Sequence, residues 1–279
     1  MKKSDKKKRS LLGALPAVPY VVWMVLFIAI PLGMVAFFAL TDPQGQFTLE
    51  NIARGGEHMS VLLRSIKLAT IATILCIIIA YPLAYILSRK QGFQKQTLFV
   101  MVMLPMWMNF LLRTFAWMTI LENNGLINKF LGLFGIGPLQ MINTQGAVIL
   151  GMVYNYIPFM ILPLYTTMCK IGNDVIEAAQ DLGANPFQVF MKTIFPLSMP
   201  GVMSGIVMVF MPTVSTFAIA ELLTMNNIKL FGTTVQENIN NGMWNYGAAL
   251  SLIMLLLIGV TALFTNEDDS AQNESGGVI

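Results

Sequence analysis

Asp174-Val175-Ile176-Glu177-Ala178-Ala179-Gln180-Asp181-Leu182-Gly183-Ala184-Asn185-Pro186-Phe187, running on to Ile194-Phe195-Pro196-Leu197, is a well-punctuated stretch set between strongly apolar runs. The punctuation predicts a pair of short helices. Asp174 is placed to cap the first, with Glu177 three residues on to complete a capping box. Gly183 offers the left-handed conformation that ends a helix. Asn185 starts the second helix, Pro186 suits its first position, where a missing N–H costs nothing, and Gln188 repeats the box. Pro196 is expected to close it. Val175, Ile176, Leu182, Phe187 and Phe190 give this helix–turn–helix its apolar surface.

Composition sets the surroundings. Of 279 residues, 56% are hydrophobic and 11% charged, less than half the charged share usual in soluble domains. Several apolar runs reach the roughly 20 residues that a helix needs to cross a bilayer. The chain reads as an all-α polytopic membrane protein. Cys76 and Cys169 fall in different apolar runs, so neither a disulfide framework nor a metal site is suggested. His58, the one histidine, has no companion ligands. No Gly-x-x-x-x-Gly-Lys-Ser/Thr occurs, so the chain has no phosphate-binding loop with which to hydrolyse ATP.

Glu177-Ala178-Ala179, then Gly183, then Ile194-Phe195-Pro196 resembles the EAA…G…I-x-P loop of permease subunits in binding-protein-dependent ABC importers. The resemblance implies the type I ABC importer permease fold, with six transmembrane helices in the cytoplasmic membrane of a bacterium. It implies that loop 170–198 is cytoplasmic and forms a coupling helix that docks on a separate ATPase. Glu177, Ala178, Ala179, Gly183, Pro186 and Phe187 are then the coupling residues. The implied partners are an ATPase dimer, a second permease subunit and an extracytoplasmic substrate-binding protein, with no nucleic acid. The chain itself holds no cofactor; ATP and Mg²⁺ belong to the ATPase. The plainer alternative is an ordinary surface helix hairpin, since Glu-Ala-Ala is common in helices.

Taken in order, residues 1–14 form a basic tail with Lys2, Lys3, Lys6, Lys7, Lys8 and Arg9. The core of one transmembrane domain follows, 15–265. Its helices are expected at about 15–40, 65–87, 97–121, 146–168, 199–224 and 247–264, with a short interfacial helix at 126–134. Trp244 and Tyr246 stand where interface anchors belong. The acidic end, 266–279, is expected to be disordered. Six spans put both termini on one side. The basic tail, loop 88–96 and the coupling loop carry six, three and two Lys/Arg. The opposite loops hold Arg54, Lys129 and Lys229, with Arg64 and Lys67 at a helix edge. The positive-inside rule therefore places both termini in the cytoplasm.

Pro31, Pro82, Pro105, Pro158, Pro163 and Pro212 fall inside the spans. Each frees a carbonyl and bends its helix; bent helices suit a path that opens alternately to each side, and are also common in any membrane bundle. Two ionisable residues lie within spans, at ~3 kcal/mol each near the bilayer centre. At helical spacing Thr213, Phe217 and Glu221 share one face of helix five, and Asn109, Arg113 and Trp117 one face of helix three. Two readings stand: these stripes line a substrate path, or Arg113 and Glu221 pair with each other or with backbone carbonyls and hold the bundle together.

Tyr81-Pro82-Leu83-Ala84-Tyr85, Leu104-Pro105-Met106-Trp107 through Arg113-Thr114, Asn124-Gly125-Leu126-Ile127-Asn128 and Phe195-Pro196-Leu197-Ser198-Met199-Pro200-Gly201 further resemble permeases of spermidine/putrescine systems. That likeness implies a polyamine, a solute recognised by carboxylates and aromatic faces. Glu221, Phe217, Trp117 and Trp107 supply these, with Thr213 and Asn109 beside them. Arg113 suits a polycation badly and reads as structural or gating. Some of the same stretches recur in permeases for iron and inorganic anions, which stay as alternatives. So do an ion-coupled secondary transporter and a membrane receptor or scaffold, although the chain shows no clear internal repeat.

Overall fold

The computed structural model describes residues 18–275. The basic tail, the first residues of the expected opening span and residues 276–279 lie outside them. The chain divides into two compact units, one holding the described residues up to Glu57 together with Glu237–Leu255, the other His58–Gln236 and the residues from Leu256 on.

In the first unit, helix α1 (Val18–Ala39) is long and apolar enough to cross a membrane, and nearly all its side chains are exposed. A short helix α2 (Glu50–Gly55) occupies part of the expected loop 41–60. Ala39 packs with Ala248 and Ala249. The Asn245 side chain donates to the carbonyls of Thr41 (2.8 Å), Phe38 (3.2 Å) and Asp42 (3.3 Å), at and just beyond the end of α1.

The second unit is built on α3 (Met59–Ser88), α7 (Gln145–Lys170) and α10 (Phe195–Ser215). Small residues let them approach closely. Ala72, Cys76, Ala80 and Ala84 recur every fourth position along α3 and are fully buried. On α10, Gly201, Gly205, Val209 and Thr213 do the same against α7. A Cβ on Gly201 would come within 2.9 Å of the Pro163 carbonyl. Such small-residue seams are how membrane helices gain dispersion contact without a hydrophobic drive. One buried cluster centres on Leu68, Met152, Ile219 and Leu223, another on Tyr81, Met160, Leu164 and Val209. The Tyr81 and Ser198 hydroxyls, 2.7 Å apart, share a hydrogen bond between α3 and α10.

Two expected spans are broken. The third comprises α4 (Gly92–Met103), a 3₁₀ turn at Leu104–Trp107, and α5 (Phe110–Leu121) beyond an extended Met108. The two halves are bent by 88°. Pro105 cannot donate within the turn, and Asn109 starts a new helix by accepting the N–H groups of Leu111 (2.8 Å) and Leu112 (3.4 Å). The fifth ends α10 at Ser215 and resumes as α11 (Ala218–Thr224). With the bent third span counted as one, six candidate membrane spans are present among the described residues.

Helix α6 (Leu126–Gly132) lies where the interfacial helix is expected. Helix α12 (Phe231–Asn240) occupies much of the expected loop 225–246. The last helix, α13 (Trp244–Ser275), runs through most of the tail expected to be disordered. No Pro or Gly interrupts the sequence from Asn266 to Ser275, and extending an existing helix is far cheaper than starting one.

Both π-turns of the chain's described residues, Val25–Ala29 within α1 and Phe190–Ile194 before α10, end two residues ahead of a proline, Pro31 or Pro196. The carbonyl that each ring would strike, four residues back, belongs to Phe27 or Lys192, inside the widened turn. The helix thereby passes through its proline. Pro196 does not close the second coupling helix, as its sequence position suggested; it sits in the first turn of α10.

Candidate functional site

The coupling stretch forms α8 (Asn173–Asp181) and α9 (Pro186–Val189). Asp174 is not the cap of α8. The helix starts two residues earlier than that cap would set, with extended Gly172 at the cap position, and Asp174 falls in the first turn, where its charge still favours the helix N-terminus. Gly183 stands at φ +84°. The Ala184 N–H reaches the Ala179 carbonyl (3.2 Å) and the Gly183 N–H that of Gln180 (2.8 Å), the paired bonds of a Schellman turn. At Asn185 the capping box with Gln188 is complete in both directions (2.8 and 3.0 Å), with Pro186 in the first turn.

This hairpin has two faces. Val189 and Ile194 are buried with Ile171, packed by Tyr85, Ile176, Ala179 and Ala184. Phe190 meets the Tyr81 ring edge-on at 5.6 Å. The other face holds Glu177, Ala178, Pro186 and two large apolar side chains, Leu182 (89% exposed) and Phe187 (71%). This face thus leaves two large apolar side chains and the Glu177 carboxylate uncovered.

The broken spans meet elsewhere in the same unit. A cavity of about 450 Å³ is lined by Phe110 of α5, Tyr156 of α7, and Pro212, Ser215, Thr216 and Phe217 around the gap between α10 and α11. Arg113, one turn into α5, is 8% exposed, and its Nε and Nη1 find no acceptor. Asn155 nearby donates to the Gly151 carbonyl (2.9 Å) and to Thr114 Oγ1 (3.5 Å), but its Oδ1 accepts nothing.

Of the two stripes expected at helical spacing, that of Thr213, Phe217 and Glu221 is interrupted, because the helix under it stops at Ser215 and resumes at Ala218. Thr213 is fully buried on the seam of α10, its hydroxyl bonded to the Val209 carbonyl. Phe217 lies in the gap and lines the cavity; Glu221 is exposed on α11. Asn109 caps α5, and its carbonyl accepts the Arg113 N–H (3.2 Å), so Asn109, Arg113 and Trp117 follow at successive turns. Trp117 packs edge-on against Tyr154 at 5.4 Å and lines a separate apolar groove with Ile71, Leu75 and Ile79. Trp107 is 82% exposed ahead of the break. Tyr156 and Thr216 carried no sequence signal, since nothing in their spacing foretold that a gap in one helix would face them.

Residues 77–266 match the family described as binding-protein-dependent transport system inner membrane component. The chain is 36% identical over 249 residues, 85% of its length, to the spermidine/putrescine transport system permease protein PotB of Haemophilus influenzae, covering 87% of that protein. To PotB of Escherichia coli K12 it is 33% identical over 257 residues, 88% of this chain and 94% of that one. Among solved structures, it is similar to a chain of a bacterial ABC transporter that imports the acidic polysaccharide alginate. The TM-score is 0.75 at 15% identity, over 97% of this chain and 99% of that one. The fold is that of an ABC importer permease. The match to the family covers most of the chain and includes the whole coupling hairpin, so this multi-pass membrane protein belongs to the binding-protein-dependent transport system inner membrane components.

Proposed function

We propose that the chain is the polyamine-conducting permease subunit of an ATP-driven importer for spermidine and putrescine. The observation that carries this reading is its 33–36% identity, over nearly nine-tenths of its length, to permeases named for those two solutes. It forms half of the path with a second permease subunit and receives its solute from an extracytoplasmic binding protein. The exposed hairpin face with Glu177, Leu182 and Phe187 docks on one copy of an ATPase dimer, which binds ATP and Mg²⁺. The chain has no ATPase site of its own. Both termini and the hairpin lie in the cytoplasm, as the distribution of Lys and Arg favours.

In this reading Glu221 lowers the barrier for a polycation leaving the binding protein, and Phe217 and Tyr156 at the cavity replace part of its lost hydration by cation–π attraction. One observation favours a second reading. An unpartnered guanidinium in a span marks a functional position by default, and Arg113 would be a natural ligand for an inorganic anion. The test is uptake of labelled spermidine, putrescine, sulfate and ferric iron by cells carrying the whole transport system. Uptake of the polyamines alone supports the first reading; uptake of sulfate with none of spermidine replaces it with the second.

A further inference from the structure

Arg89 is the first residue beyond α3, and its guanidinium gathers acceptors from two other helices. Nη1 donates to the Ile171 carbonyl (3.0 Å) and to Asn173 Oδ1 (3.0 Å), and Nη2 donates to the Met168 carbonyl (3.4 Å). Its guanidinium carbon also lies 5.4 Å from the centroid of the Tyr85 ring, one turn back on α3. Met168 and Ile171 belong to the C-terminal end of α7, where the Met168 carbonyl otherwise receives the capping Ile171 N–H (3.3 Å) and the helix dipole is negative. Asn173 is the first residue of α8, the coupling helix. One side chain therefore joins the end of α3 and the end of α7, the span that leads into the hairpin, to the first residue of the hairpin itself.

We infer that Arg89 is a positioning residue for energy coupling, the latch through which a displacement of α8 is delivered to α3 and α7 together. The inference rests on the importer reading above. The apolar contacts beneath the hairpin, Val189 and Ile194 against Ile171 and Tyr85, hold it in place but have no direction and can slide. A planar guanidinium with fixed donors cannot slide without breaking charge-assisted bonds, so it sets one register. The neighbouring cations Lys90, Lys170 and Lys192 are exposed. Of these basic residues at the hairpin, only Arg89 is seated against the carbonyls of α7 and the side chain of Asn173.

Asn173 lets the latch be opened at one arm. Asn173→Ala removes the bond to α8 and leaves both bonds to α7. The measurement is ATP hydrolysis by the complete importer in liposomes, with and without solute-loaded binding protein, alongside labelled spermidine uptake. Asn173→Ala and Arg89→Gln should keep subunit assembly and basal hydrolysis, while the stimulation by loaded binding protein and the uptake per ATP each fall about tenfold, within the usual range of coupling free energies. Asn173→Asp, which still offers the guanidinium an acceptor, should retain both. The double variant should be no worse than Arg89→Gln alone, because that variant already removes the bond that Asn173→Ala removes. Normal coupling in Asn173→Ala, or defects that simply add, would overturn the latch. If Arg89→Gln fails to assemble, the comparison of Asn173→Ala with Asn173→Asp decides alone. A wild-type importer that ignores spermidine counts instead against the polyamine reading, and the same ratios are then taken with the solute that stimulates it.

Discussion

Gly183 turns the coupling hairpin at φ +84°, and a Cβ there would meet nothing within 4 Å. The demand at this position is therefore conformational: the left-handed region costs an L-residue about 1–2 kcal/mol, and a β-branched one more. Gly183→Val should leave the protein inserted but uncouple it, with ATP hydrolysed and little solute moved; Gly183→Asn should be milder. Normal uptake by the Val variant in membrane vesicles would show that the turn tolerates redirection. Arg113 poses the opposite problem, since two of its nitrogens are buried without acceptors. Leaving such donors unpaired costs about 1–3 kcal/mol. Arg113→Met should accordingly raise the melting temperature of the detergent-solubilised importer, while any effect on uptake reports its part in the path. A lower melting temperature would mean that Arg113 holds its helices together. Glu221→Gln should slow spermidine uptake severalfold without loss of the complex; an unchanged initial rate of labelled uptake would remove Glu221 from the path.

At the scale of elements, the local rules held where the structure is local. Asn185, Pro186 and Gln188 specify a helix start within four residues, and the finished box uses those three. Gly183 ends α8 in the same self-contained way. Thr213, Phe217 and Glu221 failed as a stripe because the helix under them stops at Ser215. That stop depends on distant partners: the Phe231 N–H donates to Ser65 Oγ (2.8 Å), which brings Gly232 so close that a Cβ on it would sit 2.5 Å from the Ser215 carbonyl and 3.0 Å from that of Thr216. Spacing along one segment carries no information about such a neighbour. The small-residue seam between α7 and α10 was equally silent in the sequence, where Gly201 and Gly205 looked like ordinary glycines of a membrane span. Gly201→Val must push against the Pro163 carbonyl, which is backbone and cannot rotate away. Overpacking of this kind costs about 1–3 kcal/mol, and the expected result is a lower yield of assembled importer, measured by co-purification of the partner subunits.

For the whole molecule, composition and span count were legible, because the bilayer leaves a chain so few ways to satisfy its backbone. If, as proposed, a separate ATPase drives the importer, this subunit should move nothing alone. Liposomes holding only this subunit should show no spermidine flux, and flux without ATP or partners would establish a self-sufficient carrier. The π-turn at Phe190–Ile194 has a consequence at this same scale, for it stands between the hairpin and α10. It stores one residue more than an α-turn would, so the two sides of it are out of phase by about 100° of rotation. The azimuth of Leu182 and Phe187 relative to the seam of α10 is thus geared by a single surplus residue. Deleting Thr193 would leave every cap of the hairpin, Phe190 and Ile194 in the sequence and swing the exposed face of Leu182 and Phe187 to another quarter of the compass.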